Sequence, residues 1–524
     1  MNRTLASSGS FPRLPGRPPG FRLRLDGVRL IDVAAGRPFP AGTALVVQDG
    51  RIAGLPGAPG DASDPRADAT LELGGRTVVP ALANVHCHLQ MVLPSLRLGP
   101  RGLWLAHRRA AGQIAHSTAE CLRRGVAVVR DAWSEDLRHN RRLVERVRRG
   151  ELAGPRLVQA VLVSQLGGTF TMPRGPADYV LGTFAGLPPV AWSAPASGVV
   201  AFAPDASTRA VRAAVDRAID ERAAQSIKLY DQRETKLRYA PGPTLMTQAQ
   251  LDAAADQARR RGVPSELHHV TVESFRRGVR AGVTALAHVP ADAALTAADV
   301  SALVAAGTVL VPTLSLAYDL NWGHPPLPAG SAPSRLAELE RLREATHAAL
   351  TREFWVPELQ GPAARGFAEL RAGRRRMLGV VDLSPVFRYF HGIHTHGFDN
   401  VARVFAAGGR LACGNDAGAI PRTAAMVGLE LRLLDLALRA AGGPGLDGAA
   451  ALRIATQHSA AVLGDAAAAG TLAPGRRADL AVLDGDPLAD AGVLGRPVAA
   501  LLLDGRPAFD GCGLAQRLRD ASAT

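Results

Sequence analysis

The stretch TVVPALANVHCH, residues 77–88, decides how the rest of the chain is interpreted. Its apolar run is typical of a buried strand, and the run ends on two histidines separated by one residue. Side chains at positions i and i+2 of a strand face the same way, so His86 and His88 can converge on one ion. Two solvent-facing histidines in a loop remain the alternative.

Further apolar runs follow this one along the chain. Together they give eight candidate strands, at residues 78–86, 126–132, 156–163, 226–230, 263–269, 283–289, 308–314 and 410–416. Most of the intervening segments carry a helical period, for example residues 208–224, 247–261 and 272–281. Strands that alternate with helices predict a parallel sheet, and eight repeats predict an α/β fold of the closed (β/α)8 TIM-barrel type.

Both ends of the chain differ from this middle region in their predicted secondary structure. Short strands are predicted at residues 21–25, 28–32, 44–48, 51–53, 478–483 and 498–503, with hairpin turns at Asp49-Gly50 and Asp504-Gly505. We expect a flexible tail at residues 1–20 and a small β-sandwich made from residues 21–79 and 466–524. The barrel would occupy residues 80–465, with long loops 165–204 and 315–409 shaping the substrate pocket.

The composition is that of a globular protein, with 47% hydrophobic residues among 524. A formal net charge of +14 raises nucleic-acid binding as an alternative, but the arginines are dispersed and form no basic tail. Cys87, Cys121, Cys413 and Cys512 form no CxxC pair, which suits a reducing interior. No apolar run approaches the ~18 residues of a membrane span. We therefore expect a cytoplasmic protein without a signal peptide or membrane anchor.

Other candidate metal ligands close later strands. His268 ends the run at residues 263–268, His288 ends the run at 283–288, and Asp416 ends the run at 411–416. Each alone could equally be a capping or core residue. Several such side chains at the strand ends of one barrel indicate a metal site, because imidazole and carboxylate bind zinc, manganese or iron, with zinc the default.

Lys228 stands near the end of another predicted strand. The chain contains two lysines, Lys228 and Lys236, while its other basic side chains are arginines. A lysine retained at this place suggests a requirement that guanidinium cannot meet, namely an amine that can lose its proton and react. Chance retention is the alternative interpretation.

Together these residues resemble the amidohydrolase superfamily, especially imidazolonepropionase-related proteins and Xaa-Pro dipeptidases. The similarity extends over residues 21–509. Besides the first strand, it is carried by GVAVVRD at 125–131, GELAGPR at 150–156, GNDAG at 414–418 and GTLAPGRRADLAVLDGDPL at 470–488, the last being the most diagnostic. The resemblance implies a metal-dependent hydrolase that cleaves a C–N bond of an amide, peptide or cyclic amide.

The resemblance also implies two divalent ions, most simply Zn²⁺. His86 and His88 would hold the more buried ion together with Asp416. Lys228 would be N-carboxylated by CO₂, and the two oxygens of its carbamate would bridge the ions. Two ions ~3.5–4 Å apart would share a water and lower its pKa toward ~7.

His268 and His288 would complete the second ion's site. His268 is preferred over His269 because it lines up with the first histidine of the family pattern. In the implied mechanism a bridging hydroxide attacks the carbonyl, and Asp416 acts as general base and then as general acid. Asp416 and His288 are accordingly the expected catalytic residues.

Substrate contacts are expected from Tyr230, from Arg233 or Arg238 in the loop after Lys228, and from His396 in the long insertion. The partner would be a small-molecule or peptide substrate, and the sequence leaves a homo-oligomer open. Departures from the family pattern, such as Asn84 in place of a common aspartate, affect no expected ligand. They leave the substrate's identity undetermined.

Three other functions compete with this interpretation. Within the superfamily, a one-metal deaminase or a hydrolase of ring substituents would lack the bridging lysine, so Lys228 argues against it. A non-catalytic barrel scaffold is opposed by the intact set of six ligands. A basic nucleic-acid-binding protein would retain DNA at moderate salt.

Overall fold

The computed structural model describes residues 19–61, 66–89, 92, 100–134, 136–166, 196–232, 245–315, 341, 350–372, 376–377, 381–382, 389, 391–418 and 423–523. The strands are β1 (Arg22–Asp32), β2 (Arg37–Pro38), β3 (Leu45–Gln48), β4 (Arg51–Gly54), β5 (Ala69–Pro80), β6 (Leu82–Cys87), β7 (Val126–Asp131), β8 (Arg156–Gln165), β9 (Val199–Phe202), β10 (Ser226–Asp231), β11 (Ser265–His269), β12 (Ala285–Ala287), β13 (Val309–Val311), β14 (Arg376–Met377), β15 (Val381–Asp382), β16 (Leu480–Leu483), β17 (Ala500–Leu503) and β18 (Arg506–Asp510).

The α-helices connect these strands or flank them. They are α1 (Pro100–Arg123), α2 (Leu137–Arg148), α3 (Thr208–Asp220), α4 (Gln248–Arg260), α5 (Val272–Ala281), α6 (Ala297–Ala306), α7 (Pro357–Arg371), α8 (Phe398–Ala406), α9 (Val427–Ala440), α10 (Gly448–Arg453), α11 (Ser459–Val462) and α12 (Leu514–Ala523). π-Helical turns cover Leu350–Phe354, Ile393–Gly397 and Ile454–His458, and a 3₁₀ turn covers Ala491–Gly495. No helix in the described ranges is long and apolar enough to cross a bilayer.

One sheet is made from both ends of the chain, as predicted. Its order is β18-β17-β16-β5-β1-β3-β4, with β2 paired to β1. The two ends meet where β16 runs antiparallel to β5, with Leu480 opposite Pro80. Both predicted hairpin turns are present. Asp49 and Asp504 have φ values of 47° and 48°, and the glycine that follows each also has a positive φ. Such turns match the twist of the strands they join.

The second sheet is the parallel barrel. Its order is β6-β7-β8-β10-β11-β12-β13, and β9 adds to β8. Residues 410–417 close the gap between its two edges. Leu310 N–H donates to the Arg410 carbonyl at 2.9 Å on one side, and Val85 N–H donates to the Cys413 carbonyl at 2.8 Å on the other. The fold is therefore a (β/α)8-type barrel with a smaller β domain built from both chain ends.

Three details differ from the sequence predictions. The run predicted as one strand at residues 78–86 is divided, because its first residues pair with β16 and the chain enters the barrel at Leu82. The predicted strand at 410–416 is replaced by isolated bridges at Leu411 and Ala417, and Asp416 leaves the extended conformation with a φ of 46°. Strand β9 lies inside the segment predicted as a loop at 165–204.

The helices predicted from periodicity end within four residues of their expected positions, and their caps explain the boundaries. Thr247 caps α4 and Thr271 caps α5, each in a reciprocal capping box. Helix α5 stops at Gly282, whose φ of 69° is a conformation that favours glycine. These short, well-capped connections return each strand to the same end of the barrel, which places all the strand ends together.

Candidate metal centre

The C-terminal ends of the barrel strands bring the predicted ligands together. His86 lies on β6 and His268 on β11, while His288 directly follows β12. Asp416 lies at the end of the segment that closes the barrel. His86, His288 and Asp416 are all buried, and each offers one donor atom such that these atoms lie within 4.8 Å of one another.

Two of the distances around Asp416 match those between neighbouring ligands of one ion. His86 Nε2 and His88 Nε2 each lie 3.3 Å from Asp416 Oδ1. Ligand atoms about 2.1 Å from a tetrahedral zinc ion are about 3.4 Å apart. The donor set of imidazole nitrogen and carboxylate oxygen also suits zinc. The residues present therefore fit a divalent ion at this position.

The second pair of histidines, His268 and His288, belongs to a chain of side-chain hydrogen bonds. His288 Nε2 lies 2.9 Å from His268 Nδ1, and His288 Nδ1 lies 2.7 Å from Thr313 Oγ1. The other nitrogen of His268 contacts Gln232 Oε1 at 2.7 Å. Because Thr313 contacts Nδ1 of His288, the Nε2 of this ring is directed at Nδ1 of His268.

Lys228 is also at the site but has a carboxylate partner. Its Nζ lies 2.6 Å from Glu266 Oε1, and both side chains are almost fully buried. Strand register explains the contact, since Lys228 and Glu266 are directly opposite on β10 and β11. The structure thus brings all six predicted ligands to one end of the barrel, with the lysine amine held by a seventh residue.

The electrostatic environment of His86 and Asp416 favours the protonation states that a metal requires, whereas burial of His88 is outweighed by the hydrogen bond and charge of Asp416, which raise its pKa. Burial, assisted by the charge of Lys228, holds the pKa of His86 well below its usual range, so that its imidazole stays neutral. Burial alone would raise the pKa of Asp416, but hydrogen bonds from His86 and His88 hold it well below the usual range. A neutral imidazole and an ionised carboxylate are the forms that bind an ion.

Backbone conformation at the site is strained. His288, Thr313 and Asp416 have φ values of 75°, 51° and 46°, in the left-handed region that side-chain-bearing residues rarely adopt. Each of the three directly ends a barrel strand or follows it within two residues. Such conformations persist where the surroundings enforce them, and they concentrate at functional sites.

Supporting hydrogen bonds fix the first strand. His88 Nδ1 lies 3.1 Å from the Trp133 carbonyl, which leaves Nε2 directed at Asp416. Asn84, where relatives often have aspartate, donates from Nδ2 to Asn415 Oδ1 at 2.8 Å and so ties β6 to the segment before Asp416. This departure from the family pattern is therefore structural and leaves the ligands in place.

The predicted substrate residues fall into three groups. Tyr230 is at the mouth, where its ring stacks on His268 with centroids 4.2 Å apart, and its hydroxyl donates to Gln232 at 3.0 Å. Arg233 and Arg238 lie outside the described residues. His396 is half-buried on the π-helical turn Ile393–Gly397. Their contacts with a substrate stay predictions.

Sequence reasoning missed three residues of the site. Glu266 precedes His268 by two positions, so the alternation that selected the histidine also places this carboxylate inside the barrel. Gln232 follows β10 and carries no pattern of its own. Tyr389, from the long insertion, lies near enough to Asp416 that its pKa is raised by burial first and then by the carboxylate's charge.

Comparisons with known proteins agree with this geometry. The sequence model described as the amidohydrolase family matches residues 77–508. The chain belongs to this family. The amidohydrolase is accordingly a hydrolase of C–N bonds, and the match spans the barrel together with β16 and β17 of the terminal sheet. No curated protein matches the chain in sequence.

Solved structures resemble the amidohydrolase over nearly its whole length. A prolidase complexed with N-methylphosphonate-L-proline has a TM-score of 0.61 at 22% identity, covering 93% of this chain and 99% of the prolidase. A Xaa-Pro dipeptidase with bound methionine has a TM-score of 0.60 at 19% identity, covering 94% of this chain and 100% of the dipeptidase. The ochratoxinase of A. niger has a TM-score of 0.62 at 19% identity, covering 95% of this chain and 97% of the ochratoxinase. At these identities the likeness concerns the fold.

Proposed function

We propose that this amidohydrolase uses a divalent ion, most simply Zn²⁺, to hydrolyse the C–N bond of an amide, peptide or cyclic amide. One observation carries the proposal. The donor atoms of His86, His288 and Asp416, all three buried, lie within 4.8 Å of one another, close enough to bind one ion. When bound there, an ion polarises the substrate carbonyl and lowers the pKa of water.

Asp416 is the proposed proton carrier. Its low pKa keeps the carboxylate ionised, so it can accept the proton of the attacking water. The same carboxyl then returns that proton to the leaving nitrogen. His288, which has a donor atom within 4.8 Å of those of His86 and Asp416, is proposed to help hold the reacting oxygen, and Thr313 contacts its ring at Nδ1.

Tyr230 is the proposed substrate donor nearest to this centre. Burial raises the pKa of its phenol, so the hydroxyl stays protonated and can donate a hydrogen bond. Its ring is held flat against His268, which fixes the direction of the hydroxyl. Arg233, Arg238 and His396 are proposed as further contacts, with the arginines suited to a substrate carboxylate.

Two metal stoichiometries are compatible with the residues at the mouth. In the two-ion form, His268 and His288 would hold a second ion, and an N-carboxylated Lys228 would supply a further ligand. That form requires Lys228 to leave Glu266, from which it is 2.6 Å away. In the competing one-ion form, Lys228 would stay paired with Glu266 and the mouth would hold a single ion.

Removal and return of metal tests the proposed function. Protein treated with a chelator is expected to lose hydrolysis of the substrate completely, and added Zn²⁺ is expected to restore it. A first panel contains Xaa-Pro dipeptides, other dipeptides and N-acyl amino acids, since a prolidase and a Xaa-Pro dipeptidase are among the similar structures. Chelator-treated protein that hydrolyses a substrate as fast as zinc-loaded protein would contradict the proposal.

The number of ions is tested separately. Metal analysis is expected to give two ions per chain for the two-ion form and one for the competing form. A ¹³CO₂-labelled sample gives a carbamate signal in ¹³C NMR only if Lys228 is carboxylated. Lys228→Arg serves as the control, because a guanidinium keeps the charge but forms no carbamate.

A further inference from the structure

The end of β13 contacts His288 at two places. The backbone N–H of His288 donates to the Val311 carbonyl at 2.8 Å, and its ring Nδ1 lies 2.7 Å from Thr313 Oγ1. His288 is one of three buried residues whose donor atoms lie within 4.8 Å of one another at the candidate metal centre. The chain around Thr313 therefore lies against both the backbone and the ring of a predicted ligand.

Thr313 needs support to stay in this position. Its φ of 51° is in the left-handed region, which a β-branched residue rarely adopts. Residues 313–315, the turn after β13, are also fully buried, so their backbone N–H groups require partners within the protein. A neighbouring element must hold this turn for Thr313 to reach the ring of His288.

Glu430 provides that support from helix α9. It lies in the first turn of the helix and is fully buried. Its Oε1 accepts from Leu314 N–H at 2.7 Å, and its Oε2 accepts from Ser315 N–H at 2.8 Å. The N-terminal turn of a helix is also a favourable place for a carboxylate. One side chain thus binds the two N–H groups that directly follow Thr313.

We propose that Glu430 is a positioning residue for His288: it holds the turn at residues 313–315, and Thr313 in that turn holds the imidazole ring. The inference deepens the proposed metal-dependent function, on which it rests, and names a residue outside the predicted set of ligands. Loss of an outer contact to a metal ligand weakens metal binding by roughly 10- to 100-fold. Because Glu430 acts one residue further out, we expect the lower value, about tenfold.

The contact between Thr313 and His288 tests the positioning without any metal. In Glu430→Gln the side-chain amide has one acceptor oxygen and presents its own N–H₂ to the second backbone N–H. Crystal structures of the metal-free full chain are expected to show Thr313 Oγ1 and His288 Nδ1 more than ~3.5 Å apart in this variant, beyond hydrogen-bonding range. A contact kept at its wild-type length would overturn the inference. If Glu430→Gln does not fold, Glu430→Asp, which withdraws the carboxylate by one methylene, is tested for the same lengthening.

Zinc affinity tests whether Glu430 acts through Thr313. Chelator competition is applied to the wild type, Glu430→Gln, Thr313→Val and the double variant. Valine keeps the branched shape but has no hydroxyl, so Thr313→Val is expected to bind Zn²⁺ about tenfold more weakly. Once Glu430→Gln has released the turn, adding Thr313→Val is expected to weaken binding by no more than about twofold. Independent losses that multiply to about 100-fold would overturn the inference.

A matched control comes from the opposite end of the barrel. Asp465 is also a buried carboxylate, but it pairs with Arg477, away from the ligands. Asp465→Asn is expected to lower thermal stability while leaving Zn²⁺ affinity at the wild-type value. If Asp465→Asn weakens binding as much as Glu430→Gln, the effect is general destabilisation and the positioning role is wrong. A wild type that binds no Zn²⁺ would contradict the proposed function, while the crystallographic contact still decides the role of Glu430.

Discussion

Two buried ion clusters lie at opposite ends of the same barrel, and they are built differently. The mouth cluster consists of His86, Arg130, Lys228, Glu266 and Asp416. The floor cluster consists of Arg156, Asp465, Arg477, Asp479 and Asp504, at the N-terminal ends of the strands and beside the terminal sheet.

In the floor cluster every carboxylate faces a guanidinium. Arg156 lies 3.1 Å from Asp479 and 2.7 Å from Asp504, and Arg477 lies 3.0 Å from Asp479. At the mouth, by contrast, the charged partners of Asp416 among the described residues are imidazoles. The charges of the floor cluster are paired with one another without any ligand. The mouth cluster contains an ionised carboxylate, Asp416, whose charge a bound cation would neutralise. The comparison indicates that one end provides stability and the other provides chemistry.

The largest expected effect is on catalysis, from Asp416→Asn. The amide neither binds an ion as an anion does nor accepts a proton, so we expect kcat to fall by about 10²- to 10⁴-fold. Steady-state kinetics on the substrate found with the dipeptide panel gives the measurement. Asp465→Asn, at the floor, is expected to retain kcat. Equal losses in the two variants would remove the distinction between the clusters.

The next effect is on stability, from Asp479→Asn. This change leaves Arg156 and Arg477 without their shared carboxylate, which we expect to cost about 3 kcal/mol of unfolding free energy. Denaturant titration followed by circular dichroism gives the value. Zinc content per chain is expected to equal that of the wild type. If Asp479→Asn unfolds like the wild type but has lost its metal, the floor cluster serves metal binding and not stability, which would contradict the prediction.

The pH dependence of stability sharpens the same contrast. Burial raises the pKa of Asp479, but the charge of Arg156, followed by that of Arg477, outweighs it, so the pKa in the folded protein lies below the usual 3.8. Its contribution is then fully present above pH 4 and is lost as the pH falls through the lower folded value.

Unfolding midpoints measured from pH 6 to pH 2.5 therefore test this contribution. The difference between wild type and Asp479→Asn is expected to be constant down to about pH 4 and to shrink below it. A difference that grows on acidification would show that Asp479 is not stabilised as an anion.

The smallest expected effect is from Tyr230→Phe. The ring still stacks on His268, but the hydroxyl, which donates to Gln232 and is proposed to donate to the substrate, is lost. A single such bond contributes about 1 kcal/mol, so kcat/KM is expected to fall by about fivefold. Metal affinity is expected to be unchanged. A loss of 100-fold or more would assign the phenol a direct part in the reaction.

Much of the fold follows from local sequence signals. Apolar runs and helical periods locate most barrel strands, and the Asp-Gly turns locate two hairpins of the terminal sheet. The boundary between β5 and β6 was missed because both strands are equally apolar, and only pairing with β16 separates them. Strand β9 was missed because four residues within a Gly- and Pro-rich stretch carry no clear period.

The candidate site divides in the same way. His86, His88, His268 and His288 stand at strand ends, where residue type and position together indicate metal binding. Glu266 does not stand out, because its role depends on Lys228 opposite it on a strand 38 residues earlier. Contacts set by register between strands require the assembled sheet, and no single stretch of sequence contains them.

The pairing of β5 with β16 has a consequence for folding during translation. Pro80 and its partner Leu480 are separated by 400 positions, since 480 minus 80 is 400. At about 5–20 residues per second, translation reaches the second strand roughly 20 to 80 seconds after the first. During that interval β5 exposes a hydrogen-bonding edge beside Val78 and Val79, so the nascent protein depends on timely completion or on chaperones to avoid mispairing.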